Sequence, residues 1–379
     1  MKLALVTTLL LVGCGRSGFD DITTGDGAIG GNGDGGNGDG GNGGGGDGAS
    51  GDAASAVLSV TISHYNPGTI PPPRRSSGAA LDPATDLLWF YGGYDGTFRG
   101  DVQAFSTGGW TIPATSGTSP GARERHALAW DPVGNALVIF GGQNRPMIQL
   151  VHYDTLHVMT TGSVFAPIPK TGTWPAARKD ATLLWIPHLS RFLLYGGDDG
   201  AMASNRFADL WLLTLNSAAK TATWQALTPG GVAAPAQSSA CVVYDPAAHR
   251  MILFGGETAD GVDVNTTYQY LLDTNVWQQD TTTGTPPAGE SFAQCAWDPT
   301  HNRVLLYGGQ QNGGTPIGGY ATYDPDAHVW AVPPSAAGIA GNRSDGGAVF
   351  SATLGGMLWY GGRTGAITYT SDVAFLKLQ

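Results

Sequence analysis

An all-β fold, six four-stranded sheets arranged as a six-bladed β-propeller, is predicted by two observations. A Gly-Gly pair recurs at the end of an apolar run, from "LLWFYGG" (Leu87–Gly93) through "ALVIFGG", "FLLYGG", "MILFGG" and "VLLYGG" to "MLWYGG". The second glycines fall at 93, 142, 197, 256, 309 and 362, so the intervals are 49, 55, 59, 53 and 53 residues. That period is the length of one propeller blade, and no interval is doubled. Composition agrees. With 59 glycines and only 13% charged residues, the 379-residue chain suits short strands and turns better than helices, which need charged surfaces.

Each unit repeats the same order of segments. A first strand ends in Asp-Pro or a substitute, as in "GAALDP" and "CVVYDP". Proline presets φ and removes a ladder donor, which makes the turn. Ten residues separate that turn position from the first glycine in all six copies, from 82 to 92 through 351 to 361. Constant spacing marks a hairpin of fixed register. The second strand is the unbroken apolar run, which predicts burial on both faces, as between neighbouring blades. A third strand follows a loop of variable length, and a fourth carries Trp110, Trp224, Trp277 or Trp330 in four units. The second unit has "VFAPIP" there.

The sixth unit stops at Gln379 after its third strand. Ahead of the first unit, Leu58, Val60 and Ile62 alternate with Ser59, Thr61 and Ser63, the period of a strand. Residues 56–65 are therefore expected to pair with Asp372–Leu378 and close the ring as the outer strand of the last blade, which hides two sheet edges.

The chain before residue 56 reads differently. Lys2 precedes the ten-residue apolar stretch "LALVTTLLLV", too short to span a bilayer. "LVGC" (Leu11–Cys14) then resembles the lipobox of bacterial lipoproteins. The resemblance implies cleavage after Gly13, lipidation of Cys14 and a cell-envelope location, in the outer membrane because Gly15 is not the retention Asp. An ordinary cleaved signal with an incidental Cys is the other reading. The Gly-rich run over 24–55 buries nothing and lacks calcium-loop spacing, so it reads as a tether spanning roughly 35 Å. The expected division is thus 1–13 signal peptide, 14–55 lipidated Cys and tether, 56–379 propeller, acting as a monomer.

The net charge is −11, and −6 remains once residues 1–55 are set aside. No Lys/Arg-rich run exists, so nucleic acid is not an expected partner. Cys241 and Cys295 are one position out of step when their repeats are aligned. On neighbouring strands that offset points the two to opposite faces, so both are expected to be free thiols.

The repeats resemble kelch motifs over Ala56–Gln379, on the strength of six Gly-Gly pairs, the tryptophans and "P-x-x-R" before the first strand. The resemblance implies a propeller whose ligands bind at the loop face over the central channel. It also places Arg74, Arg123, Arg178, Gln237, Glu290 and Arg343 at the channel mouth. A ring with four Arg suits a carboxylate or anionic sugar. Alternatively, each Arg fixes a neighbouring loop through backbone carbonyls. A protein, peptide or glycan ligand is therefore expected.

Enzyme readings are weaker. Kelch-like propellers include copper-radical oxidases, but no H-x-H or paired Cys/His spacing is present, so no metal or cofactor is expected. No G-x-S-x-G elbow or sialidase box occurs. Asp95, Asp198, Asp199 and Asp260 sit in the variable loops after Gly-Gly, where a carboxylate pair for glycoside cleavage would be built; solvated turn acids are the simpler reading.

Overall fold

The computed structural model describes residues 60–64, 70–200, 205–334 and 341–379. The predicted leader, Cys14 and the tether lie outside these residues. The described chain forms six antiparallel four-stranded sheets, and its single helical turn is the 3-10 turn Pro187–Leu189. Blade 1 runs Gly78–Asp82, Leu87–Tyr91, Val102–Ser106, Gly109–Thr111. In blades 2, 4 and 5 a two-residue segment of the preceding connection adds to the fourth strand in parallel.

Each first hairpin is built by local chemistry. Asp82 accepts a hydrogen bond from the Ala84 amide, and Asp131, Asp245 and Asp298 accept from Val133, Ala247 and Thr300. Four positions after the turn residue the chain is left-handed in every blade, at Asp86, Asn135, Ser190, His249, Asn302 and Gly355. Asp and Asn tolerate that region better than branched residues do. The register that follows pairs Asp82 with Leu87 and Asp298 with Arg303.

Blades stack face to face through apolar side chains. In blade 2, Ala136, Leu137, Val138, Ile139 and Phe140 are each at most 1% exposed. Val138 and Phe140 pack towards blade 3, whereas Leu137 and Ile139 pack towards blade 1. This two-sided burial explains the unbroken apolar run, and contributes about 1.5–3 kcal/mol per large residue. Trp110, Trp224, Trp277 and Trp330 pair across from the third strand, and Phe165 takes the same position opposite Met159.

The ring closes as expected. Val60–His64 pairs antiparallel with Val373–Leu378, matching Ile62 to Leu376. Ile62 thereby occupies the tryptophan position of the sixth blade and is 4% exposed.

The two cysteines correct an expectation. Cys241 and Cys295 form a disulfide with a Cα–Cα distance of 5.8 Å. Blades do not sit side by side in one sheet. They stack, so the face that blade 4 presents meets the opposite face of blade 5. Residues one position out of step therefore point at each other, and Cys241 and Cys295 share one core cluster with Val243, Phe254 and Leu306.

The Gly-Gly pairs stitch the blades together. All twelve glycines have positive φ, from 64° at Gly92 to 112° at Gly309. The second glycine of each blade donates its amide to a carbonyl at the start of the next: Gly93 to Arg123, Gly142 to Arg178, Gly197 to Gln237, Gly256 to Glu290, Gly309 to Arg343 and Gly362 to Arg74. A side chain on Gly92 would collide with the Arg123 carbonyl. Only glycine meets both the backbone angle and the close approach.

Candidate functional site

The six residues expected at the channel mouth, Arg74, Arg123, Arg178, Gln237, Glu290 and Arg343, do occupy equivalent positions, one per blade. Their side chains lie beneath the surface, each at most 4% exposed. Arg74, Arg123 and Arg178 each donate to the carbonyl of the first glycine eighteen residues on, Gly92, Gly141 and Gly196, at 2.9–3.1 Å. Arg74 also pairs with both oxygens of Asp101, and Arg178 with both of Asp209. Arg123 meets Thr155 instead and lies 4.3 Å over the Tyr153 ring, as Arg178 lies 4.0 Å over Phe207. Arg343 reaches Asp372 at 3.2 Å. Arg74, Arg123 and Arg178 thus tie their own blade's loops together through a backbone carbonyl, and Arg343 does so through Asp372. Gln237 has neither amide atom hydrogen-bonded, and Glu290 Oε1 has no partner.

The channel itself is lined two residues further on, by Ser76, Arg125, Asp180, Ser239, Phe292 and Asp345. All six are left-handed, with φ from 54° to 63°. Their amides form a closed circle. Arg125 donates to Ser76, Asp180 to Arg125, Ser239 to Asp180, Phe292 to Ser239, Asp345 to Phe292 and Ser76 to Asp345, at 2.7–3.4 Å. This circle of backbone bonds rings a neck of about 170 Å³.

The neck carries a charge network. Arg125 bonds Asp180 at 2.9 Å and approaches Asp345 at 3.9 Å, with its guanidinium 4.6 Å over Phe292. Ser76 donates to Asp345, which also meets Arg75 at 3.3 Å. Lys179 lies 3.1 Å from Asp180 and 2.6 Å from Asp198. Burial alone would raise Asp180, but Arg125 and Lys179 hold it below the usual carboxylate range. Burial would likewise lower Arg125, but Asp180 and Asp345 hold it above its ordinary value. His126 beside the neck is pushed down to about 3 by burial and by Arg123, so it stays neutral. Arg125 and Asp180 are thus each held in the charged form by the other.

The mouth above the neck is asymmetric. Over blades 6, 1 and 2 a cleft of about 420 Å³ is lined by Arg75, Tyr94, Phe98, Arg145, Arg363 and Tyr369. Next to it Met147, Ile148 and Ile367 are 83–91% exposed. Arg75 and Arg363 are hydrogen-bonded within the protein, while Arg145 is exposed and has no acidic partner among the described residues.

Of the loop carboxylates, Asp95 bonds Arg99, and Asp198 bonds Lys179 and Arg206, so both are matched by cations. Asp199 accepts from Asn205, and Asp260 from Thr258. One grouping escaped sequence reasoning. His188, His249 and Asp273, from three loops of blades 3 and 4, bring ligand atoms within 4.8 Å of one another. The two imidazoles stack at 3.7 Å and 11°, so their lone pairs do not converge on one point without a ring turning. Residues so far apart in the chain carry no spacing signal.

The comparisons agree with this architecture. A family model for the attractin/LZTR1 β-propeller matches residues 149–374, and one for KLHDC2/KLHL20/DRC7 kelch repeats matches residues 59–219. Human host cell factor 2 is 23% identical over 259 residues, covering 64% of this chain and 31% of that protein. Human host cell factor 1 is 23% identical over 260 residues, covering 64% of this chain and 12% of that protein. The chain thus spans under a third of the length of these relatives. The solved structure titled "Structure of YjhT" superposes with a TM-score of 0.64 at 14% identity, covering 83% of this chain and 99% of that one. At that identity the likeness bears on the fold alone. With a family match across more than half of its length and six stitched Gly-Gly units, the chain belongs to the attractin/LZTR1 family of kelch-repeat β-propellers.

Proposed function

We propose that this propeller is a binding module, held outside the cytoplasm by a lipid on Cys14, that captures a partner protein at its channel mouth. The observation that carries the reading is the asymmetric mouth. Exposed Met147, Ile148 and Ile367 stand beside Arg145, which has no acidic partner among the described residues, on a chain of net charge −11. Contiguous exposed apolar side chains rimmed by charge mark interaction sites. The expected ligand segment carries a carboxylate for Arg145 and apolar side chains for its neighbours. The neck below supports binding over catalysis, because its carboxylates Asp180 and Asp345 are each matched by an arginine of the chain.

The extracytoplasmic placement is supported by the lipobox-like "LVGC" and by the Cys241–Cys295 disulfide, since such bonds persist in oxidising compartments. An acidic-peptide array probed with the full chain tests the binding reading. Arg145→Glu together with Ile367→Ser should weaken selected ligands at least tenfold, and unchanged affinity would reject the mouth as the site. Cys14→Ser should move the protein from membrane to soluble fractions and remove incorporated fatty acid. Retention on membranes would reject the anchor.

A further inference from the structure

Blade 5 departs from the four arginine-bearing blades at one compartment. In blades 1, 3 and 6 a buried Arg at the ring position meets an Asp just before the third strand: Arg74 with Asp101, Arg178 with Asp209, Arg343 with Asp372. In blade 5 the ring position is Glu290. The position of the Asp, identified by the carbonyl that accepts from the first glycine's amide, is Gly319. Both the guanidinium and its carboxylate are therefore replaced. A cleft of about 360 Å³ lies there, bounded by Glu290, Gly308, Ile317, Gly319 and Tyr320, with exposed Val332 on its rim. Gly308 corresponds to the glycines whose carbonyls receive the arginines elsewhere. Ile317 corresponds to Tyr153 and Phe207, over which those arginines lie.

Glu290 is 4% exposed and its Oε1 has no hydrogen-bond partner. Leaving a buried acceptor unmatched costs about 1–3 kcal/mol, so the arrangement needs an explanation. Burial, with the Asp263 carboxylate adding to it, pushes Glu290 up to about 8. Asp263 Oδ1 is itself buried without a partner. Glu290 faces the cleft with Asp263 close enough to act on it, and no cation among the described residues lines the cleft, which leaves a place for a positive charge supplied from outside.

We propose that the Glu290 cleft binds a guanidinium or ammonium group borne on a short apolar stem. The cation takes the place that an arginine of the chain fills in blades 1, 2, 3 and 6. Its head pairs with Glu290 and donates to the Gly308 carbonyl. Its stem lies along Ile317 and Tyr320, as long cationic side chains lie on apolar surface. The cleft volume fits a small molecule or one side chain. The cation is either free or the arginine of a peptide.

Titration of the full chain at pH 8.5, followed by calorimetry and by the Ile317 methyl resonance, tests this. Butylguanidinium is compared with its neutral isostere butylurea, and acetyl-arginine methylamide with acetyl-citrulline methylamide. The expected result is at least tenfold tighter binding of the cation in one or both pairs, with a shift of the Ile317 methyl. Glu290→Gln should reduce that preference below threefold. Glu290→Arg should abolish binding by filling the cleft from within. Preference for the free cation or for the arginine derivative identifies the source. Equal binding of cation and isostere to the unaltered protein, or no binding of any probe, overturns the proposal whatever the variants do.

Discussion

Blades 3 and 5 share one backbone and differ in what fills it. Both have the hairpin of ten-residue spacing, the paired left-handed glycines and the amide bond to the next blade. Blade 3 completes this frame with Arg178, clamped by Asp209, the Gly196 carbonyl and the Phe207 ring. Blade 5 has Glu290, Gly319 and a cleft. The pair teaches that the repeat is specified by backbone demands, and that the ring side chain is a separable addition. A blade folds with or without it.

The largest expected effect breaks what the two blades share. Gly196→Ala and Gly308→Ala each force a side chain into φ 67° against a carbonyl of the following blade. Each should cost about 2–4 kcal/mol, read as a lowered urea midpoint. If the two costs differ by more than about 2 kcal/mol, the frames are not equivalent. Next comes the bond that only the blade 4–5 pair has. Cys241→Ala with Cys295→Ala should lower stability by about 3 kcal/mol, and reductant should have the same effect on the parent.

Asp209→Ala sharpens the difference between the blades. It leaves Arg178, 1% exposed, without its carboxylate and should cost about 2 kcal/mol, less than for a fully buried pair because Asp209 is 36% exposed. Its counterpart Glu290→Gln in blade 5 should be neutral or stabilising at pH 8. The smallest effect is its pH dependence. A carboxyl whose folded value lies above its unfolded value contributes stability at low pH, and that contribution fades as pH rises towards and through about 8. The melting temperature of the parent should therefore fall by a few degrees more between pH 5 and 9 than that of Glu290→Gln. Parallel curves would show that Glu290 is not buried as a proton-binding group.

The architecture was legible because it is repeated. Spacing invariant over six copies exposes register, and the alternation of Val60 and Ile62 exposed the closing strand. What was not legible depends on how repeats meet. The disulfide is hidden by parity: cysteines one position out of step point apart on strands of one sheet, whereas stacked blades reverse that relation. Arg74 and Arg178 were placed at the mouth because the motif carries a position and not a direction, and only the structure shows them turned inward to Asp101 and Asp209. The channel residues Ser76, Arg125, Asp180, Ser239, Phe292 and Asp345 differ in chemistry, so no pattern of side chains announced them. Their common signal was an offset of two from the ring position, visible only once the left-handed backbone is known.

That circle of amides also limits what the channel can become. Each of the six residues in the circle sits at φ 54–63°, where Val, Ile and Thr are strained. The alphabet open to the neck is therefore short: Ser, Asp, Asn, Gly, and long or flat side chains such as Arg and Phe. Within it each blade contributes one letter, and the circle itself is closed by backbone amides. A relative with another specificity should spell a different six-letter word on the same frame, without a β-branched residue in it.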